Sequence, residues 1–168
     1  MQEVRTLLLL RHGKAQPDAP NGDKERALIE RGLRDSAAMG RKLLEIVGRL
    51  DNIVSSDARR AHQTALLAAA SAGYTGSITL DEDIYDASLQ TLLNVVQRLP
   101  DSARCVLLVG HNPGFEELCT ALAGDDAPPS RLPTAGLAHI EFDVARWRDV
   151  RPGMGRLQGV YTPKSLGS

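Results

Sequence analysis

The sequence predicts a single three-layer α/β domain over residues 1–168, a mostly parallel sheet with helices on both faces. Three observations carry this expectation. Two segments, "VRTLLLL" (4–10) and "RCVLLVG" (104–110), are apolar without alternation, as strands covered on both faces must be. Short apolar runs of this kind alternate with longer stretches of helical periodicity. No internal repeat, low-complexity tract or interdomain linker interrupts the 168 residues, a length that fits one domain with a substantial core.

In chain order, 4–10 reads as the first buried strand. "LRDSAAMGRKLLEIVGRL" (33–50) carries apolar residues at helical spacing, and "NIVSS" (52–56) is a second short strand. "RRAHQTALLAAASAG" (59–73) is an alanine-rich helix stopped by Gly73. "SITL" (77–80) is a third strand, and "SLQTLLNVVQRL" (88–99) a helix ending before Pro100. After the strand at 104–110, "PGFEELCTALAG" (113–124) opens a helix with Asn112 as N-cap and Pro113 at its first position. "LAHIEFDV" (137–144) alternates, which predicts a half-exposed or edge strand, and "GRLQGVY" (155–161) a last one. The polar, Pro- and Gly-bearing stretches 15–30 and 124–136 are candidate lids or rims.

Composition excludes several classes of function. The chain is 42% hydrophobic and 24% charged, with 20 basic and 21 acidic residues and a net charge of −1. No global field draws it to nucleic acid or to a membrane, so any affinity for anions must come from a local cluster. "TLLLL" is too short for a signal core or a membrane span. Cys105 and Cys119 both lie in apolar context and read as buried small hydrophobes. Neither is followed five residues later by arginine, which excludes a cysteine-based phosphatase loop. A reducing, cytoplasmic setting is expected.

The chemistry gathers where a parallel sheet binds its ligands, beyond the carboxyl ends of the strands. The first strand ends in Arg11, His12 and Gly13. The second leads through "SSDARRAHQT" to Arg59 and Arg60 at the head of a helix, and the fourth ends in Gly110, His111 and Asn112. Guanidinium groups bind phosphate oxygens bidentately, and helix N-termini add backbone donors. Histidine serves as a covalent nucleophile near neutral pH, and Gly13 permits a close backbone approach. Each residue alone has a structural explanation, and His62 and His139 are read that way, as helix-surface and strand residues. The convergence of three strand ends points to a phosphate site. A metal centre on His12 and His111 is disfavoured, because Arg11 would repel the cation.

"LLLLRHGKA", "SSDARRAHQTA" and "VGHNPGFEEL" together resemble the histidine phosphatase superfamily, in particular its short SixA-like phosphohistidine phosphatases. "PTAGLAHIEFD" and "GRLQGVYTPKSL" extend the likeness over nearly the whole chain. The resemblance implies a phosphoglycerate-mutase-like fold and a phosphatase without metal or cofactor. It implies His12 as nucleophile, with Arg11, Arg60 and His111 holding the phosphoryl oxygens. Arg60 is preferred to Arg59 because the family arginine directly precedes alanine and lies four before threonine, matching Ala61 and Thr64. Asp57 replaces a proline common at that place, a change expected to be minor. Larger relatives carry a glutamate as general acid after the third strand. Here "TLDEDIYDAS" offers Glu82 as the nearest positional match, with Asp83 and Asp86 as rivals and solvated loop carboxylates as the plain alternative. Without a clear acid, and with no room for cap insertions between Arg60 and His111, the expected substrate is phosphohistidine on a protein. A small phosphoester is the alternative, and a phosphate-binding module without turnover a third reading.

Overall fold

In the computed structural model, which describes residues 3–124 and 131–166, the first apolar run forms the centre of the molecule. β1 (Val4–Arg11) buries Leu7, Leu8, Leu9 and Leu10 completely. It pairs in parallel with β4 (Cys105–Gly110), so that Arg11 stands beside Gly110 at the shared carboxyl end. β2 (Asn52–Ser55) and β3 (Ile78–Leu80) continue the parallel half outward. On the other side, β5 (Leu137–Asp143) runs antiparallel to β1, and β6 (Arg156–Tyr161) antiparallel to β5. The sheet order is β3-β2-β4-β1-β5-β6.

The leucines of β1 point alternately to two cores. Leu8 and Leu10 meet α1 (Glu30–Val47) and α2 (Arg59–Ser71) through Met39, Leu43 and Ala65. Leu7 and Leu9 meet α3 (Leu89–Gln97) and α4 (Gly114–Ala123) through Leu92, Phe115 and Leu118. A short α5 (Pro163–Leu166) closes the chain against the first of these layers. This is the three-layer α/β arrangement expected from the sequence.

Three expectations are corrected. The run 137–144 is not a half-exposed edge. β5 lies between β1 and β6, and the edge is β6. Its alternation has another cause: His139 is buried with Nε2 3.6 Å from Glu141, and Arg156 of β6 reaches Glu141 and Asp143. A polar row held by cross-strand partners, from buried His139 to exposed Asp143, thus imitates the pattern of a solvent-facing strand. α1 begins three residues before the expected 33 and stops at Gly48, whose φ of 74° is a left-handed turn suited to glycine. Cys119 is fully buried as expected, but Cys105 is only partly so. Burial, reinforced by Asp51 and Glu141, pushes the Cys105 thiol up to about 12, which keeps it protonated and unreactive.

Candidate active site

β1 ends in the pair on which the site is built. The His12 amide extends the ladder to the Gly110 carbonyl (3.0 Å), and its carbonyl accepts from Ala135 N–H (2.9 Å). The nucleophile candidate is therefore held on both sides by backbone. The following glycine has a packing role: a Cβ on Gly13 would lie 2.7 Å from the Gly32 carbonyl oxygen of α1. The close approach that needs glycine is thus to a helix, not to a ligand as the sequence suggested. Gly13 N–H donates to Thr64 Oγ1 (3.0 Å), which donates in turn to the Arg60 carbonyl (2.8 Å). One hydroxyl locks the end of β1 to the first turn of α2.

The His12 ring makes a 2.8 Å hydrogen bond from Nδ1 to the Gly13 carbonyl. A carbonyl only accepts, so Nδ1 carries the proton and Nε2 keeps its lone pair. The residue is 7% exposed. Burial pushes its pKa down to about 4, opposed by the Gly13 bond and aided by Arg60 and Arg11, so the imidazole is neutral at pH 7. His111 stands with its ring centroid 5.3 Å from that of His12. Its pKa falls to about 3, through burial first and then through His12 and Arg60. His111 Nε2 lies 2.8 Å from Ser56 Oγ. That hydroxyl already accepts Ala58 N–H at 3.2 Å, and its own proton is free to bond Nε2. With the Ser56 proton directed at Nε2, Nδ1 carries the ring proton, and it is buried with no partner among the described residues.

Arg60 is 6% exposed whereas Arg59 is exposed. Arg60 donates through Nη1 to the Asp23 carbonyl (2.8 Å) and through Nη2 to Asp23 Oδ2 (3.0 Å), and its buried Nε has no partner. Arg11 donates to the Leu132 carbonyl (3.1 Å), and its Nε is likewise buried and unpaired. Burial and the Arg60 charge lower the Arg11 pKa while Glu116 raises it; a guanidinium remains charged throughout. Helix α4 starts one residue later than expected, at Gly114. Asn112 still serves its first turn: Oδ1 accepts Glu116 N–H (3.3 Å), while Nδ2 donates to Glu116 Oε2 (2.7 Å) and the Leu132 carbonyl (2.8 Å). Asn112 and Arg11 thus anchor the chain at Leu132, beside the expected rim 124–136, of which 125–130 lies outside the described residues.

Arg60, His111 and Asn112 line a cleft of about 270 Å³ together with Asp23, Tyr85 and Asp86. Arg11 and His12 lie outside that lining, with the His12 ring reaching toward it only as far as His111, 5.3 Å between centroids. Asp23 and Tyr85 were not nominated by the sequence. Asp23 belongs to the 15–30 stretch, a loop pinched closed by pairing of Ala15 with Leu28. Its carboxylate accepts from the Tyr85 hydroxyl, from Arg26 (2.9 Å) and from Arg60, and these donors hold it well below the usual carboxylate range. Lys24 bonds Asp57 (2.9 Å) and covers the Tyr85 ring, which gives the unusual aspartate at 57 a role in fastening this loop. Tyr85 in turn sets its edge against His111.

The acid candidates separate. Glu82 is exposed and lies outside the cleft lining, and Asp83 pairs with Arg98 (2.9 Å). Of the three only Asp86 reaches the cleft, with a left-handed φ of 50°. Among the described residues no three His, Cys, Asp or Glu side chains gather to hold a metal ion. No described helix is long and apolar enough to cross a membrane. A larger hollow of about 350 Å³, lined by residues from Gly48 to Asp51 and from Ala72 to Gly76, lies at the opposite end of the strands and contains none of the nominated residues.

The chain has relatives among known proteins. An uncharacterized protein of Mycobacterium tuberculosis is 32% identical over 164 residues, covering 92% of this chain and 100% of its own. A structure of a protein designated phosphohistidine phosphatase SixA, from Nakamurella multipartitia, shares 28% identity with a TM-score of 0.80, over 95% of this chain and 96% of that one. A protein of the same designation from Agrobacterium tumefaciens shares 30% with a TM-score of 0.79, over 95% and 98%. The fold alone extends further, to a phosphoserine phosphatase from Entamoeba histolytica with 15% identity, a TM-score of 0.68 and coverage of 96% and 99%. The model of the histidine phosphatase superfamily, branch 1, matches residues 7–92, and with them the strand, loop and helix that carry Arg11, His12 and Arg60. The chain belongs to the histidine phosphatase superfamily.

Proposed function

We propose that this protein is a metal-independent phosphatase that takes the phosphoryl group of a protein phosphohistidine onto His12. One observation carries the reading: a buried, neutral imidazole with Nδ1–H committed to the Gly13 carbonyl and Nε2 left free, beside two guanidinium groups and the His111 ring. Nε2 attacks phosphorus in line, a new N–P bond forms, and the substrate P–N bond breaks with its electron pair on the departing ring. Water then attacks phosphorus, the electron pair of the N–P bond returns to Nε2, and phosphate leaves. The unpaired Nε atoms of Arg11 and Arg60 and Nδ1 of His111 are suited to the equatorial oxygens, whose charge they would offset. The two guanidinium groups supply the positive charge, so the reading calls for no metal or cofactor.

The choice of phosphohistidine over an alkyl ester rests on the carboxylates. A poor leaving alkoxide needs a proton from a general acid. Glu82 stands outside the cleft, and Asp23 is held ionised by its three donors. The cleft is also small for an enclosed metabolite site. A small phosphoester remains the second reading, favoured by Asp86, which would be its proton donor. A cytoplasmic setting, with no nucleic-acid or membrane partner, accompanies the proposal.

The test compares a phosphohistidine protein, a phosphoserine peptide and small sugar phosphates as substrates of the wild type and of His12→Ala. Turnover of the first, its loss in the variant and an acid-labile phosphoenzyme in the wild type are expected. Near-normal activity of His12→Ala would refute the mechanism.

A further inference from the structure

The cleft contains two carboxylates in different electrical situations. Asp23 is already compensated by Arg26, Arg60 and the Tyr85 hydroxyl. Asp86 is exposed, and among the described residues no hydrogen bond or ion pair engages it. Its φ of 50° is a region that side-chain-bearing residues seldom occupy, with aspartate and asparagine among those that tolerate it. A strained residue on a cleft wall is a common mark of function. The same wall holds two polar side chains, each more than nine-tenths buried, with unpaired nitrogens: Nε of Arg60 and Nδ1 of His111. These would bind the anionic end of a ligand, while an uncompensated carboxylate at the rim favours a cationic end.

A phosphorylated imidazole has both ends. If the ring bears a proton on the nitrogen remote from phosphorus, it is cationic, and cleavage of its P–N bond releases neutral imidazole. Without that proton the same cleavage would release an imidazolide anion, a far poorer leaving group. The useful proton is therefore one that solvent supplies before the reaction and that an anionic acceptor stabilises. No general acid takes part.

Building on the phosphohistidine reading above, we propose that the Asp86 carboxylate recognises the remote N–H of a cationic phosphohistidine ring and so selects phosphohistidine over phosphoesters. In the transfer, the His12 Nε2 lone pair forms the new N–P bond. The old P–N pair remains on the substrate ring, which leaves as neutral imidazole still hydrogen-bonded to Asp86. No proton moves in that step. The cleft presents Asp23, Arg60, Tyr85 and His111 as the other charged or titratable groups around Asp86. An anionic substrate body would meet the free carboxylate and be repelled.

The experiment measures kcat/KM for free phosphohistidine, for an aryl phosphate (p-nitrophenyl phosphate) and for an alkyl phosphate (glycerol phosphate). It uses the wild type, Asp86→Asn and Asp86→Gly, both replacements compatible with a left-handed backbone. The ratio of phosphohistidine to aryl phosphate should fall about tenfold in both variants, the lower range for a hydrogen bond to a charged group. An unchanged ratio would overturn the proposal, as would a selective loss on alkyl phosphate, which would make Asp86 a general acid. If the wild type leaves phosphohistidine intact, the functional reading above fails and takes this proposal with it. If the wild type hydrolyses phosphohistidine but the ratio holds in both variants, only this proposal fails.

Discussion

Acid should unfold this protein through its active site. His12 and His111 are both at least nine-tenths buried, and burial holds them neutral in the native state, with pKa values pushed down from 6.5 to about 4 and about 3. In the unfolded chain both take up a proton as pH falls through 6.5. The unfolded state therefore binds more protons than the native one, and stability present above 6.5 is lost as pH falls toward 4. For His12 alone, moving from 6.5 to about 4 amounts to about 3 kcal/mol, a sizeable share of the roughly 5–15 kcal/mol that holds a domain together. Urea unfolding between about pH 7.5 and 4.5 should show stability declining with acid. His12→Asn should show a slope shallower by about 1.4 kcal/mol per pH unit. His139, whose pKa is also lowered by burial, adds to the decline in wild type and variant alike, so the difference between them reports His12 together with its coupling to His111. The same depression places the acid limb of His12 in kcat/KM near pH 4, well below the ordinary histidine range. Identical slopes for the wild type and His12→Asn, or an acid limb near 6.5, would show that the imidazole is not held neutral and that the nucleophile has been misread.

Arg60→Ala should reduce kcat by about a hundredfold or more, and exposed Arg59→Ala should leave it close to wild type; equal losses in a steady-state assay would put the wrong arginine in the site. Gly32→Ala would place a Cβ 2.1 Å from the Lys14 carbonyl oxygen, backbone that cannot swing aside. It should lower stability by at least about 2 kcal/mol and Tm by several degrees in thermal unfolding. A neutral result there would mean that α1 can slide along the end of β1. Activity should survive EDTA and be inhibited by vanadate, measured by phosphate release; loss on chelation with recovery in a divalent cation would revive a metal mechanism.

Much of the site was legible because a parallel sheet writes it plainly. Continuous apolar runs mark β1 and β4, and whatever polar residues follow them stand at the ligand edge, as Arg11, His12 and His111 do. Arg60 was separable from Arg59 only through the resemblance, which sets the arginine directly before Ala61 and four before Thr64; in the structure Arg60 shares the buried face of α2 with those residues. Asp23 and Tyr85 were hidden, since their hydrogen bond joins two irregular segments 62 residues apart and leaves no periodic trace in either. Tyr85, a lone aromatic within the polar "DEDIYDAS", was the one faint signal. Glu82 drew attention by position alone. The short 3-10 turn at Glu82–Ile84 buries Ile84, leaves Glu82 exposed and turns Asp86 toward the cleft. β5 misled because alternating polarity records which side chains have polar partners as well as which face water.

The pairing of Ala15 with Leu28 divides the labour of the site in a way that bears on how such a protein can change. Between those two residues the loop is tied to the site through Asp23 and Lys24, which bond Arg60, Tyr85 and Asp57, whereas the strand end carrying His12 is pinned separately by Gly110, Thr64 and Ala135. With Asp23 and Lys24 kept, the rest of residues 16–27 could be lengthened, shortened or recomposed with little disturbance to the attacking nitrogen. Selection acting on the loop would retune which molecules are admitted, while the phosphoryl-handling apparatus beneath it stayed the same.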